Sequence, residues 1–174
     1  MKSILLLRHA KSAWSDPRLG DHDRPLNGRG ERAAKAMADH LAQSDHRPAL
    51  ILCSTAMRTR QTLAPLVARL GTPPPPIALE DGLYLASHER LLARLQTVPG
   101  DVSTVLLVGH NDGIWQLAEA LAGRGPPAAL AALREKYPTG TLAVLRMPAE
   151  VWQDLAAGSG ELVAFVRPRD LTGR

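Results

Sequence analysis

Three stretches of the chain place ionisable side chains directly after an aliphatic run: LLLRHAKS (5–12), LILCSTAMRTRQT (50–62) and VLLVGHND (105–112). They deliver Arg8 and His9, then Arg58, then His110. Two guanidiniums and two imidazoles in one place would suit a compact anion with several oxygens. Phosphate leads, because the planar arginine fork matches its geometry. Like charge from the arginines disfavours an imidazolium, and neutral imidazole is a nucleophile. Transfer of a phosphoryl group to His9 would split hydrolysis into two steps, with Arg8, Arg58 and His110 stabilising the equatorial oxygens. A general acid for the leaving group is then required. Glu80 and Asp81 are the acidic pair directly beyond another short strand-like stretch, and Asp81 is the preferred candidate.

These groups meet only if the fold collects them, and the element pattern says that it does. Continuous aliphatic runs at 3–8, 49–54 and 103–109 read as strands buried on both faces, with a shorter strand at 77–79. Helical spacing follows each long run: 30–42, a segment marked by Leu63, Leu66, Val67 and Leu70, a short helix at 88–96, and 112–123. GPPAA interrupts after the last of these. Residues 139–147 and 160–168 read as two further strands with no long crossover between them, which suits an antiparallel pair at the sheet edge. The expected fold is three-layer α/β/α, with a mostly parallel central sheet and an antiparallel edge strand, in a single domain over 1–174. In such sheets ligands sit beyond the carboxyl ends of the strands, where all four residues would lie.

Composition narrows the setting. At 174 residues the chain suits one compact domain, and 3% aromatic content leaves the core to Leu, Ala and Val. A formal charge of +4 favours anionic partners, but the basic residues are scattered, so nucleic acid is not indicated. A single cysteine, Cys53, excludes an internal disulfide framework and points to the reducing cytoplasm. No apolar run approaches a membrane span. His22, His40, His46 and His88 lack ligand spacing, so neither metal nor cofactor is expected. Four residues separate Cys53 from Arg58 and six separate it from Arg60, and neither spacing is the C-x5-R of a thiol phosphatase. It reads as a small buried hydrophobe. Trp14, Trp115 and Trp152 read as packing residues, with Trp14 a candidate wall of the pocket.

LRHAKS, STAMRTRQT and VGHND resemble, in order and spacing, the motifs of the histidine phosphatase superfamily, which has the phosphoglycerate-mutase-like fold. The short chain and DHDRPLNGRG (21–30) are most similar to its SixA-type phosphohistidine phosphatase branch. The resemblance implies that His9 is the phosphorylated nucleophile, Arg8 and Arg58 bind phosphate, and His110 is the second pocket histidine. It also implies that Arg24 points toward the pocket; the alternative is a surface ion pair with Asp21 or Asp23. Asp81, three residues before Tyr84, is placed like the proton donor of mutase-type members. Ala10 replaces the usual glycine after the histidine, where any backbone needing a positive φ would be strained. Ser15 replaces an asparagine and removes one expected phosphate contact. The acid is not a clear Glu, which argues against mutase activity. The implied substrate is a phosphohistidine protein. The alternatives are a small phosphomonoester or, in another class, a phosphate-binding protein without turnover.

Overall fold

Strand β1 (Lys2–Arg8) has aliphatic side chains on both faces and therefore has to run through the middle of a layered structure. The computed structural model describes residues 1–172 and places it there. β1 pairs in parallel with β4 (Thr104–Gly109) and in antiparallel with β6 (Leu142–Met147). On the far side of β4 lie β2 (Leu50–Ser54) and β3 (Ile77–Glu80), both parallel. Beyond β6 come β7 (Gly160–Val166) and β5 (Ala122–Arg124), which completes the order β3-β2-β4-β1-β6-β7-β5.

Alternation along the strands splits the core in two. Leu5 and Leu7, with Ile51, Leu106 and Val108, meet Met37 and Leu41 of α1 (Gly28–Gln43) and Leu63 and Leu66 of α2 (Met57–Val67). Ile4 and Leu6, with Val105 and Leu107, meet Leu91 and Leu95 of α3 (His88–Leu95) and Ile114 and Leu117 of α4 (Gly113–Leu121). Leu133 of α5 (Pro127–Glu135) joins that second layer, and α6 (Pro168–Thr172) packs beside α1. The expected three-layer α/β/α fold is present. Among the described residues, no helix is long and apolar enough to cross a membrane.

Two expectations need correction. The antiparallel pair exists as β6 and β7, but β6 lies between β1 and β7 and the outer strand on that side is β5. The expected helix over 112–123 ends at Leu121, and Ala122–Arg124 crosses into the sheet to form β5. A Cβ on Gly123 would lie 1.9 Å from the carbonyl oxygen of Gly158, so glycine alone lets the chain pass so close. Three residues are too few to show a strand period. The GPPAA segment is also more than an interruption, since its second proline opens α5 at a position where a missing N–H costs nothing.

The carboxyl ends of β1, β2 and β4 finish at one rim. Arg8 pairs with Gly109, and the N–H of His9 donates to the Gly109 carbonyl at 3.0 Å. The turn after His9 is fixed from α1. Asn27 caps that helix by accepting from Gly30 N–H at 2.8 Å, and its own N–H donates to the Lys11 carbonyl at 3.0 Å. A Cβ on Gly30 would stand 2.0 Å from the Lys11 carbonyl oxygen. G30A is therefore expected to push α1 off the His9 turn, with a loss of about 1–3 kcal/mol and a melting point several degrees lower. Thermal unfolding beside a surface Gly100→Ala control, where an added Cβ meets nothing within 4 Å, is the check.

Candidate active site

His9 sits at the top of β1, 7% exposed. Its Nδ1 lies 2.7 Å from the carbonyl oxygen of Ala10. A carbonyl only accepts, so this contact places the ring proton on Nδ1 and leaves Nε2 as an unprotonated lone pair. The ring is kept neutral as well. Burial lowers its proton affinity to about 4, and the cations of Arg8, Arg58 and Arg24 act in the same direction against the bond to Ala10.

His110 follows β4 and faces His9, with ring centroids 5.4 Å apart. Its Nε2 is 2.8 Å from Ser54 Oγ at the end of β2. Ser54 Oγ accepts from the Ala56 N–H, and among the described residues its own proton has no acceptor other than His110 Nε2, so the histidine's proton falls on Nδ1. That Nδ1 is buried and has no protein partner. Burial, then the neighbouring His9 and Arg58, lower the ring's proton affinity to about 3.

The two arginines are held by carbonyls rather than by a surplus of carboxylates. Arg8 Nη1 donates to the Tyr137 carbonyl at 2.9 Å. Arg58, in the first turn of α2 and 2% exposed, donates from Nη1 to the Asp21 carbonyl at 2.7 Å and from Nη2 to Asp21 Oδ2 at 2.9 Å. Nε of Arg8 and Nε of Arg58 are both buried without a partner. Three buried donors of the site, Arg8 Nε, Arg58 Nε and His110 Nδ1, thus have no protein acceptor, while Arg8 and Arg58 act on the His9 ring through their charge and the His110 ring lies 5.4 Å from it.

Sequence reasoning brought His9, Arg8, Arg58 and His110 together, and so does the fold. Arg24 is buried and ion-paired: it donates to Asp21 Oδ1 at 2.9 Å and to Ser12 Oγ at 2.7 Å, and it stacks 3.4 Å from the Trp14 ring. Its charge still reaches His9. Asp81 is exposed and accepts from Thr55 Oγ1 at 2.6 Å. Glu80 is engaged elsewhere, in a two-pronged pair with Arg94 at 2.8 Å. Ala10 is unstrained, because among the described non-glycine residues only Leu85 has a positive φ. Its N–H donates to Thr62 Oγ1 at 2.9 Å. Ser15 is exposed, and Cys53 is fully buried with its thiol pushed up to about 12 by burial.

The residue whose importance the sequence understated is Asp21. Its carboxylate accepts from Arg24, Arg58 and the Tyr84 hydroxyl together. Burial opposes its charge, yet these donors hold the group well below the ordinary carboxylate range. Tyr84 in turn packs edge-on against His110, with centroids 5.4 Å apart, and against His22 at 4.8 Å. His22 Nε2 meets Thr55 Oγ1 at 2.9 Å, so Asp81 lies at the end of a polar rim. The signal for Asp21 was its place three residues before Arg24, and only the loop's path could bring it to Arg58 as well.

Comparisons with known proteins agree with this geometry. The family model described as histidine phosphatase superfamily (branch 1) matches residues 4–84. An uncharacterized Mycobacterium tuberculosis protein, Rv1276c, is 40% identical over 165 residues, 94% of this chain and all of that one. A structure from Nakamurella multipartitia, named a candidate phosphohistidine phosphatase SixA, is 34% identical with a TM-score of 0.82, covering 96% of both chains. Its counterpart from Agrobacterium tumefaciens is 36% identical with a TM-score of 0.80, covering 96% of this chain and 98% of that one.

The lowered proton affinities of His9 and His110 have a consequence for stability. An unfolded histidine titrates near 6.5, whereas these two stay neutral down to about 4 and about 3 when folded. The unfolded chain therefore binds more protons below 6.5, and the stabilisation present above that pH is lost as pH falls through this window. The expected slope is up to about 1.4 kcal/mol per pH unit for each histidine. Denaturant melts of the wild type and of H9N/H110N between pH 7 and 5 check it: the variant should show the shallower dependence.

Proposed function

The chain belongs to the histidine phosphatase superfamily, and from that premise we propose that it hydrolyses phosphohistidine on proteins through a phosphorylated His9. The observation that carries this is the set of three buried donors without a protein acceptor, Arg8 Nε, Arg58 Nε and His110 Nδ1, in the site that holds the free Nε2 of His9. A phosphoryl group has three oxygens with which to meet them and a phosphorus that the lone pair can attack. In the first step the P–N bond of the substrate breaks as the P–Nε2 bond to His9 forms. The positive charge that appears on the His9 ring is met by the Ala10 carbonyl on Nδ1–H. Water then attacks phosphorus, the P–Nε2 bond breaks, and phosphate leaves. Arg8, Arg58 and His110 stabilise the equatorial oxygens in both steps.

The leaving group decides the substrate class. An alkoxide must be protonated as it departs, whereas a substrate imidazole can take its proton from water beforehand. Asp21, the carboxylate on the arginines, is held ionised and is a poor acid at neutral pH. Asp81 stands off at the Thr55 end of the rim and is the proposed donor for phosphoesters. The SixA-like neighbours, named as candidate phosphohistidine phosphatases, point the same way. The second reading, a small-molecule phosphomonoesterase, is favoured only by the Asp81–Thr55–His22 chain. Arg24 is assigned to orienting Asp21 and raising the positive potential at the pocket.

Two measurements test this. H9A is expected to lose about 10³-fold or more in turnover of a phosphohistidine peptide, and an alkaline denaturing quench should trap a base-stable, acid-labile phosphoenzyme only when His9 is present. Residual activity within tenfold of wild type would remove His9 as the nucleophile. D81N separates the two substrate readings: hydrolysis of an alkyl phosphate should fall about 10²-fold or more, while phosphohistidine hydrolysis changes by no more than a few-fold. Equal losses on both would favour the phosphomonoesterase.

A further inference from the structure

A second basic feature lies beside this site and takes no part in the chemistry above. Lys11, Arg29, Lys136, Arg167 and Arg169 line a cleft of about 210 Å³, with Pro138 and Thr139 in its wall. Arg167 is neutralised by Asp170, to which it donates from Nη2 at 3.1 Å, and Glu135 lies near enough for its charge to act on Arg167. Lys11, Arg29, Lys136 and Arg169 are exposed, and none has an ion pair among the described residues. Arg29, Arg32 and Arg169 extend the positive surface into an adjoining depression.

Topology puts this cleft on the rim that carries His9. β7 is parallel to β1, because both are antiparallel to β6, so the Arg167–Arg169 segment emerges at the same end as Arg8. Lys11 follows His9 by two residues, within about 7 Å along the backbone. Tyr137, between Lys136 and Pro138, holds Arg8 through its carbonyl. The N–H of Gly140 meets the carbonyls of Arg8 at 3.1 Å and His9 at 2.9 Å. The cleft and the His9 pocket are thus two sides of one pair of loops.

We propose that this cleft docks an acidic segment of the phosphorylated protein, flanking the histidine whose phosphoryl group enters the pocket. The inference rests on the reading of the substrate as a protein. Four exposed cations on long side chains, with few fixed donors, suit an extended run of carboxylates better than a small ligand that must be held in one orientation. Such a surface acts mainly on encounter and on KM rather than on the chemical step.

The experiment compares a phosphohistidine peptide flanked by six glutamates with one flanked by six serines, and with 4-nitrophenyl phosphate. The proteins are the wild type, R29E/R169E, and the control R90E/R124E, which reverses the same charge on exposed positions of α3 and β5. For the wild type, KM for the glutamate peptide should lie about tenfold below that for the serine peptide. That advantage should vanish in R29E/R169E and persist in the control, with kcat and 4-nitrophenyl phosphate turnover unmoved, since the small ester does not reach the cleft. Equal KM values in the wild type, or equal losses in both double variants, would overturn the proposal. If no phosphohistidine peptide is hydrolysed, the functional reading fails separately, and fluorescence anisotropy of a labelled hexaglutamate decides the docking. Binding by wild type and control but not by R29E/R169E supports it. Absence of binding, or binding of pyrophosphate alone, overturns it.

Discussion

Everything at the rim depends on how the charge of Arg8, Arg24 and Arg58 is tolerated beside two buried imidazoles. Cations so close repel one another, and burial makes each costlier. The compensation is small and specific. Asp21 neutralises Arg24 and Arg58 with one carboxylate, Arg8 has the Tyr137 carbonyl and the more distant charge of Asp112, and both histidines surrender their charge instead. The site therefore keeps a net positive potential with neutral imidazoles inside it. An anion is attracted, and the His9 lone pair stays unprotonated.

The sheet supplies the rigidity that this balance needs. β1 has a parallel neighbour on one side and an antiparallel one on the other, and its side chains are buried from Ile4 to Leu7. His9 leaves it under three restraints: its N–H bonds to Gly109, its carbonyl accepts from Gly140, and Ala10 N–H bonds to Thr62. Thr62 also donates to the Arg58 carbonyl at 2.7 Å. The hydroxyl thus couples the His9 turn to the helix that carries Arg58, so neither group can shift alone.

Much of this was legible in the sequence, for a physical reason. Strands buried on both faces announce themselves as unbroken aliphatic runs, and a charged residue at the end of such a run has few places to go except the rim. His9, Arg8, Arg58 and His110 were found that way. Interactions that depend on loop paths were not legible. Asp21 as a bridge, Thr62 as a coupler and the Tyr84 hydroxyl all meet residues distant in sequence, and nothing in their local spacing specifies the partner. β5 escaped for a different reason: three residues carry no period, and its place depends on the close approach of Gly123 to Gly158. Ala10 shows the converse, since the family's glycine suggested strain, whereas the turn here keeps an ordinary backbone.

Asp21 also bears on what the site can do. A carboxylate that stabilises cations is held ionised by them, so the same contacts that make the arginines tolerable disqualify it as a proton donor. A phosphoryl group entering the pocket brings further negative charge to arginines already partly neutralised by Asp21. On the proposed reading, binding would then depend on the donors left without a protein acceptor, Arg8 Nε, Arg58 Nε and His110 Nδ1, rather than on total charge. Three donors in fixed directions suit the three equatorial oxygens of a phosphoryl group better than a carboxylate, which has only two. On the proposed reading, selectivity for phosphoryl transfer and a preference for leaving groups that need no enzyme acid would both come from one choice: neutralising the arginines with a carboxylate instead of leaving them bare.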